Sequence, residues 1–405
     1  MRMILRKQYL DQIKPFMNQD LIKILMGIRR SGKTILLLQL GELLEAEGVP
    51  KSCILTLNFE SYHHKNLRDD GALYAYIEHF AAAASGKIYL FLDEIQEVAH
   101  WQQLVNSVRV DFDCDIYLTG SNSKLLSGEL ATCLSGRYVK FTVYPFTFRE
   151  IREFYAENGI AKSPEAVFAE YLRYGGLPQR LAQRDEHSTR TYLEDVLEAI
   201  VIRDVVARNK IKNVDLLRRL LGFLLDNIGN TFSGNSLCKA LVREGRTTTV
   251  DTVLNYIARL KDAFIILEAR RYDVKGRQLL MASEKYYAAD IGLRNVMSSS
   301  EQVDTSKLYE NVVFLELLAR GFEVKVGKLD NQEIDFICYR GNEKLYLQVA
   351  YLLDEHSRER EFGNLERIED NYPKYVVSSD LVDLSRGGIV HLNILEFLSL
   401  PEGRL

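Results

Sequence analysis

The sequence predicts an α/β protein whose first part is a parallel sheet, and three observations carry that reading. Strand-like and helix-like stretches alternate from residue 21 to residue 143. Gly27 to Thr34, GIRRSGKT, fits G-x-x-x-x-G-K-[ST] at every fixed position, between a short apolar run and a stretch of helical spacing. Lys87 to Leu92 is almost continuously apolar, as in a strand covered on both faces, and it ends in Asp93-Glu94.

The first strand is read at Leu21 to Met26 and the first long helix from Ile35 to about Gly48-Val49-Pro50. Between them, Gly27 and Gly32 allow a tight turn, so backbone N–H groups through Arg29, Arg30 and Ser31 can cradle phosphate at a helix N-terminus. Lys33 reaches the outer phosphates and the Thr34 hydroxyl can ligate Mg²⁺, so a nucleoside triphosphate with Mg²⁺, taken as ATP although the loop reads phosphates and not the base, is the expected ligand. The plain alternative is a Gly/Ser surface loop that fits the pattern by chance.

Cys53 to Phe59 reads as the second strand and Ala72 to Ala84 as a helix; Lys87 to Leu92 is the third strand. Asp93 at its carboxyl end is placed to hold Mg²⁺ and Glu94 to orient an attacking water, although acidic residues also end strands merely because they suit turns. A helix with Trp101, Leu104, Val105 and Val108 leads to a fourth strand, Asp115 to Thr119. Fold analogy sets that strand between the two motif-bearing ones, so Ser121 or Asn122 is a γ-phosphate sensor or else caps a short helix over Ser123 to Leu126. Arg137, before the fifth strand at Val139 to Val143, is a candidate charge-stabilising arginine in its own or a neighbouring subunit, or a surface ion-pair residue.

At these residues the chain resembles a group of prokaryotic AAA-superfamily ATPases with a restriction-endonuclease-like C-terminal domain. GIRRSGKT, YLFLDEIQ, LTGSNS, LSGRY, VYPFTFREI and YLRYGGLPQR carry the resemblance, which extends over essentially the whole chain. It implies a P-loop ATPase domain over 1–147, a helical lid over 148–212, a winged-helix segment over 213–300 and a degenerate nuclease-like α/β domain over 301–405. Helical spacing does dominate from Ile151 to about Leu225, interrupted at Gly175 to Pro178, and Ala199 to Lys212 reads as a helix with a basic face.

Three helices at Leu216–Ile228, Ser236–Leu241 and Thr247–Leu260 precede two strand-like stretches, Phe264–Leu267 and Gln278–Met281, which are expected to flank Arg270–Arg277 as a hairpin wing. From Lys239 to Arg277 the chain carries nine basic and five acidic residues, an excess suited to DNA phosphates, but the would-be recognition helix, Thr247–Leu260, offers Asp251 and apolar residues in place of base-reading side chains. DNA and protein partners are both expectations for this segment.

In the last domain, Asp335 falls at the aspartate position of the nuclease pattern and Gln348 at the second, with Glu310 in support, while the lysine position holds Ala350. Cleavage of a phosphodiester usually needs that lysine beside metal-holding carboxylates, so a nuclease is not expected. A net charge of −4, with 47% hydrophobic and 27% charged residues, gives no global drive toward nucleic acid. The five cysteines and seven histidines lack metal-ligand spacing, and no secretion signal or membrane span is evident, so a cytoplasmic protein is expected. Assembly into an oligomer is consistent with the family and is left open.

Overall fold

A computed structural model of the 405-residue chain describes residues 2–122, 134, 136–276, 278–279, 284–298, 304–401 and 403–404. The expected short helix from Ser123, together with Ser135, Arg277, Leu280, Met281 and residues 301–303, lies outside the described residues. The chain divides into two compact units. One comprises Met3–Val143 with Asp262–Phe264; the other comprises Met1–Arg2, Tyr144–Lys261 and Ile265–Leu405.

In the first unit five strands, β1 (Ile22–Met26), β2 (Ile54–Asn58), β3 (Ile88–Asp93), β4 (Cys114–Gly120) and β5 (Tyr138–Thr142), form a wholly parallel sheet in the order β2-β3-β4-β1-β5. The expectation that the fourth strand stands between the two motif-bearing strands holds. Helices cover both faces, which is why β1 and β3 read as continuous apolar runs and are buried throughout. On one face α1 (Lys7–Ile13) and α2 (Lys33–Ala46) pack through Leu10, Ile13, Leu36 and Leu40 onto Leu25, Phe91 and Tyr117. On the other, α3 (Asp70–Ala83) and α4 (Trp101–Asp111) bring Leu73, Ile77, Trp101 and Val105 against Ile24, Leu90 and Leu118. The side chain of Asp69 accepts the Ala72 N–H and starts α3.

The second unit opens with α5 (Phe148–Glu157), begun by a Thr147–Glu150 capping box, and α6 (Pro164–Tyr174), capped by Ser163. Then come α7 (Glu186–Ala199), which runs into a π-helical stretch at Ile200–Ala207, and α8 (Val214–Asp226). The segments YLRYGGLPQR and KYYAADIGL meet at one buried carboxylate. Asp290 accepts the N–H of Gly176 at 2.7 Å and of Leu293 at 3.1 Å. A Cβ on Gly175 would lie 2.2 Å from Asp290, and one on Gly176 2.1 Å from the Phe146 carbonyl, so both glycines are required for this approach.

After α8 come β6 (Thr231–Phe232), α9 (Gly234–Arg243), α10 (Val250–Asp262), β7 (Ile266–Ala269), β8 (Arg271–Asp273), β9 (Gln278–Leu279) and β10 (Glu284–Ala288). The expected hairpin wing does not form between the two stretches read as its strands. β7 pairs with β10, in a three-stranded antiparallel sheet ordered β6-β10-β7, and not with the stretch at Gln278. The residues between form a short β8–β9 hairpin on the edge of a different, seven-stranded sheet, where β8 runs parallel to a later strand. The ladder partners of β7 are taken by β10, while Tyr272 meets the Tyr339 ring edge-on at 6.4 Å and so has an aromatic contact in the larger sheet.

That sheet is completed after α11 (Ile291–Met297) and α12 (Thr305–Ala319) by β11 (Glu323–Leu329), β12 (Gln332–Arg340), β13 (Glu343–Val349), β14 (Lys374–Ser378) and β15 (Val390–Asn393), in the order β15-β14-β13-β12-β11-β8-β9. α13 (Glu355–Glu366) precedes β14 and α14 (Ile394–Ser399) follows β15. Phe362 and Leu365 of α13 pack on Ile337, Tyr346 and Val376 of the sheet.

Candidate functional site

The phosphate-loop stretch joins β1 to α2, as its flanks predict. Gly27 has φ +149° and Gly32 φ +97°, both in the region that favours glycine. A Cβ on Gly27 would sit 2.1 Å from the Val143 carbonyl oxygen. Gly27→Ala is therefore expected to destabilise the first unit by about 2 kcal/mol or more through backbone strain and steric conflict. Thermal unfolding together with titration of a fluorescent ATP analogue checks this; unchanged melting and affinity would contradict it.

Lys33 opens α2 and is buried, its Nζ donating to the carbonyls of Gly27 at 3.0 Å and Ile28 at 2.9 Å. Thr34 follows, and its hydroxyl donates to Asp93 Oδ2 at 2.9 Å. Strand register sets Asn58 opposite Asp93, where the Asn58 amide donates to the same oxygen at 2.8 Å. The Thr119 hydroxyl donates to Asp93 Oδ1 and accepts the Glu94 N–H at 2.9 Å. Burial pushes the Asp93 carboxyl above its ordinary value, opposed by the hydroxyls of Thr119 and Thr34.

Glu94 adopts φ +55°, an uncommon conformation for a residue with a long side chain. Its backbone is fixed through Thr119, and its carboxylate accepts a hydrogen bond from Gln96. Ser121 and Asn122 follow Gly120, which pairs with Met26 at the start of the loop, and both are buried. The structure thus brings Gly27, Ser31, Gly32, Lys33, Thr34, Asp93, Glu94, Ser121 and Asn122 to the carboxyl end of one sheet.

Ser31 Oγ and Ser121 Oγ are buried and have no hydrogen-bond partner among the described residues, and Thr34 and Asp93 together offer oxygen donors suited to a hard cation. These residues fit a nucleotide triphosphate with Mg²⁺. Arg30 is exposed with φ +67°, and the Arg29 guanidinium pairs with Glu60 at 3.0 Å.

Arg137, expected as a charge-stabilising arginine of its own or a neighbouring subunit or else as a surface ion-pair residue, stands at the other end of the sheet. Its carbonyl accepts the Ile22 N–H, at the amino ends of β1 and β5, and its guanidinium donates to Asn106 at 3.3 Å. The phosphate loop leaves the opposite, carboxyl end of β1, roughly 17 Å away at about 3.3 Å per residue along a five-residue strand.

Sequence reasoning missed three contributors. Asn58 and Thr119 were visible only as polar residues at the ends of apolar strands. Arg6 lies before α1; its buried guanidinium donates to the Ser31 carbonyl at 3.0 Å and sits 4.4 Å from the centre of the Tyr9 ring. Gln39 on α2 anchors the same segment, accepting from Arg6 N at 3.1 Å and donating to the Ile4 carbonyl at 2.7 Å.

The nuclease-pattern residues gather separately in the second unit. Asp335 Oδ2 accepts the Val349 N–H at 2.9 Å, and Gln348 is committed at both ends, accepting from Asp335 N at 2.6 Å and donating to Glu361 at 2.7 Å. Burial and the nearby Glu310 push the Asp335 carboxyl up to about 8. Ala350 is buried and apolar. Among the described residues no group of three or more His, Cys, Asp or Glu side chains is arranged to hold a metal ion. Likewise, among them no helix is long and apolar enough to cross a membrane.

Residues 19–152 match the AAA domain family AAA_14, and residues 165–304 match a domain of unknown function, DUF8612. The first match identifies the sheet and its phosphate loop as an AAA-type P-loop domain. An uncharacterized protein of Haemophilus influenzae is 37% identical over 98% of both chains. One from Methanocaldococcus jannaschii is 31% identical over 85% of this chain and 78% of its own. Among solved structures, a Walker-type ATPase of Pyrococcus abyssi aligns with 72% of this chain and 95% of its own, at 15% identity and a TM-score of 0.45.

Proposed function

The chain belongs to the family of its Haemophilus influenzae and Methanocaldococcus jannaschii relatives, and from that premise and its AAA domain we propose that it binds ATP with Mg²⁺ and hydrolyses it. The observation that carries this reading is the convergence of Lys33, Thr34, Asp93 and Glu94 at the carboxyl end of one sheet, with Thr34 and Asp93 joined at 2.9 Å. The loop amides and Lys33 hold the phosphates, and Thr34 and Asp93 hold the metal. Mg²⁺, when bound, neutralises phosphate charge and polarises the transferred group.

Glu94 orients the attacking water, and its fixed backbone keeps the carboxylate from wandering. Ser121 and Asn122, next to the loop, report the outermost phosphate. Asn58 and Thr119 keep the Asp93 carboxylate aimed, so they position the metal ligand without themselves touching the reacting atoms. Hydrolysis then drives conformational change in the second unit.

A slow switch that recruits partners is a second reading, favoured by the hydrogen bond that engages Glu94 with Gln96. The order α8, β6, α9, α10, β7 and β10, with β8 and β9 set apart in the seven-stranded sheet, and the sheet order β6-β10-β7 support a winged helix in this region. Several of its basic residues are paired within the chain: Arg246 with Asp215, Lys261 with Glu268 and Lys275 with Asp330. DNA binding by this element would have to draw on the remaining cations.

The test is nucleotide binding and turnover by the full chain and by Lys33→Ala, with and without double-stranded DNA at low salt. Loss of binding in Lys33→Ala with turnover in the parent supports the ATPase. Binding without turnover under either condition favours the switch.

A further inference from the structure

One lysine outside the nucleotide site faces an acidic cluster. Lys285, on β10, is 1% exposed, and its Nζ lies 2.8 Å from Glu310 on α12, 2.6 Å from Glu333 on β12 and 3.9 Å from Asp335 on the same strand. Glu310 is also bound by Lys307 at 2.8 Å and by the Tyr287 hydroxyl at 2.6 Å. Behind Asp335, Gln348 links to Glu361, which Arg360 neutralises.

We infer that Lys285 is the resident cation of this carboxylate cluster, so that the cluster is a structural joint locking β10 to the C-terminal sheet and takes no divalent metal. The argument is one of charge and room. An ammonium within hydrogen-bond reach of the Glu310 and Glu333 carboxylates and close to the Asp335 carboxyl group occupies the position from which a metal would draw the same oxygens. Leaving Glu310 buried without it would be unfavourable, because a buried carboxylate that loses a cation has no hydration to replace it.

The neighbouring contacts show the same docking. Ala288 exchanges two hydrogen bonds with the Asn311 side chain, at 2.8 and 2.9 Å, and the Tyr287 ring stacks on Phe314 with centroids 4.2 Å apart. Lys285, Tyr287 and Ala288 thus bind successive parts of α12 and β12. The three-stranded sheet and the seven-stranded sheet move as one body, and any nucleotide-driven motion leaves this joint closed. This inference stands whether or not the ATPase reading does.

The test compares the full chain with Lys285→Met, Glu310→Gln and the double variant by urea unfolding, and titrates nucleotide-free wild type with Mn²⁺ by electron paramagnetic resonance. Lys285→Met is expected to raise the unfolding constant at least about a hundredfold, and the double variant to recover a substantial part of that loss. If Lys285→Met does not fold, recovery of folding in the double variant supports the joint and its failure to fold overturns it. Simple additivity of the two substitutions also overturns it, as does saturable Mn²⁺ binding by wild type that Glu310→Gln abolishes.

Discussion

Glu94→Gln is expected to lower steady-state ATP hydrolysis by on the order of a hundredfold or more, the contribution of a positioned acid–base group, while leaving ATP affinity within about threefold. Glutamine keeps the shape of the side chain and the φ +55° turn held by Thr119, so Asp93, Thr34 and Lys33 stay where they are. It removes the negative charge that would draw a proton from water. Turnover and binding are measured separately, by phosphate release and by titration of a fluorescent analogue. A variant that retains turnover within about threefold would remove Glu94 from the chemistry. One that loses binding as well would show that the αL turn, rather than the carboxylate, is what the substitution disturbs.

The parts of the fold legible in the sequence were those fixed by local pattern. The loop GIRRSGKT has few backbone solutions, and the all-apolar third strand requires cover on both faces, so the parallel sheet follows from short-range chemistry. What escaped was long-range pairing. Nothing in Ile266–Ala269 states that its ladder partner is Glu284–Ala288 and not Gln278–Leu279, since both stretches suit a strand. The place of Arg137 was hidden for a related reason: its nearness in sequence to β5 was legible, but which end of the sheet β5 begins at depended on the parallel pairing of Ile22 with Tyr138. Asn58 and Thr119 entered the site only because register set their side chains beside Asp93. Lys285 and Glu310 lie 25 positions apart, and their partnership needed two elements to pack.

Asp115→Ala is expected to cost about 3–5 kcal/mol of unfolding free energy, the range seen when one member of a buried ion pair is removed. Lys23, on the phosphate-loop strand, and Asp115, on β4, are both buried and ion-paired. Asp115 also accepts from the Tyr117 hydroxyl and from Asn18 N, each at 2.8 Å, so one carboxylate ties β1 and β4 to the turn that enters β1. Burial already holds the Lys23 ammonium below its ordinary value, with Asp115 opposing that shift. Without Asp115 the folded protein would bind the lysine's proton more weakly still, while the unfolded chain would bind it as an ordinary lysine. The unfolded state then carries more protons, so the stability of the variant should rise with pH as pH approaches about 10.5, narrowing its deficit against wild type. Urea unfolding at neutral pH and near pH 10 reads both effects, with Lys23→Met/Asp115→Leu as the control that removes the pair together and should recover much of the loss. A deficit under about 1 kcal/mol at neutral pH would mean that water reaches Lys23 and that the pair is not a buried one.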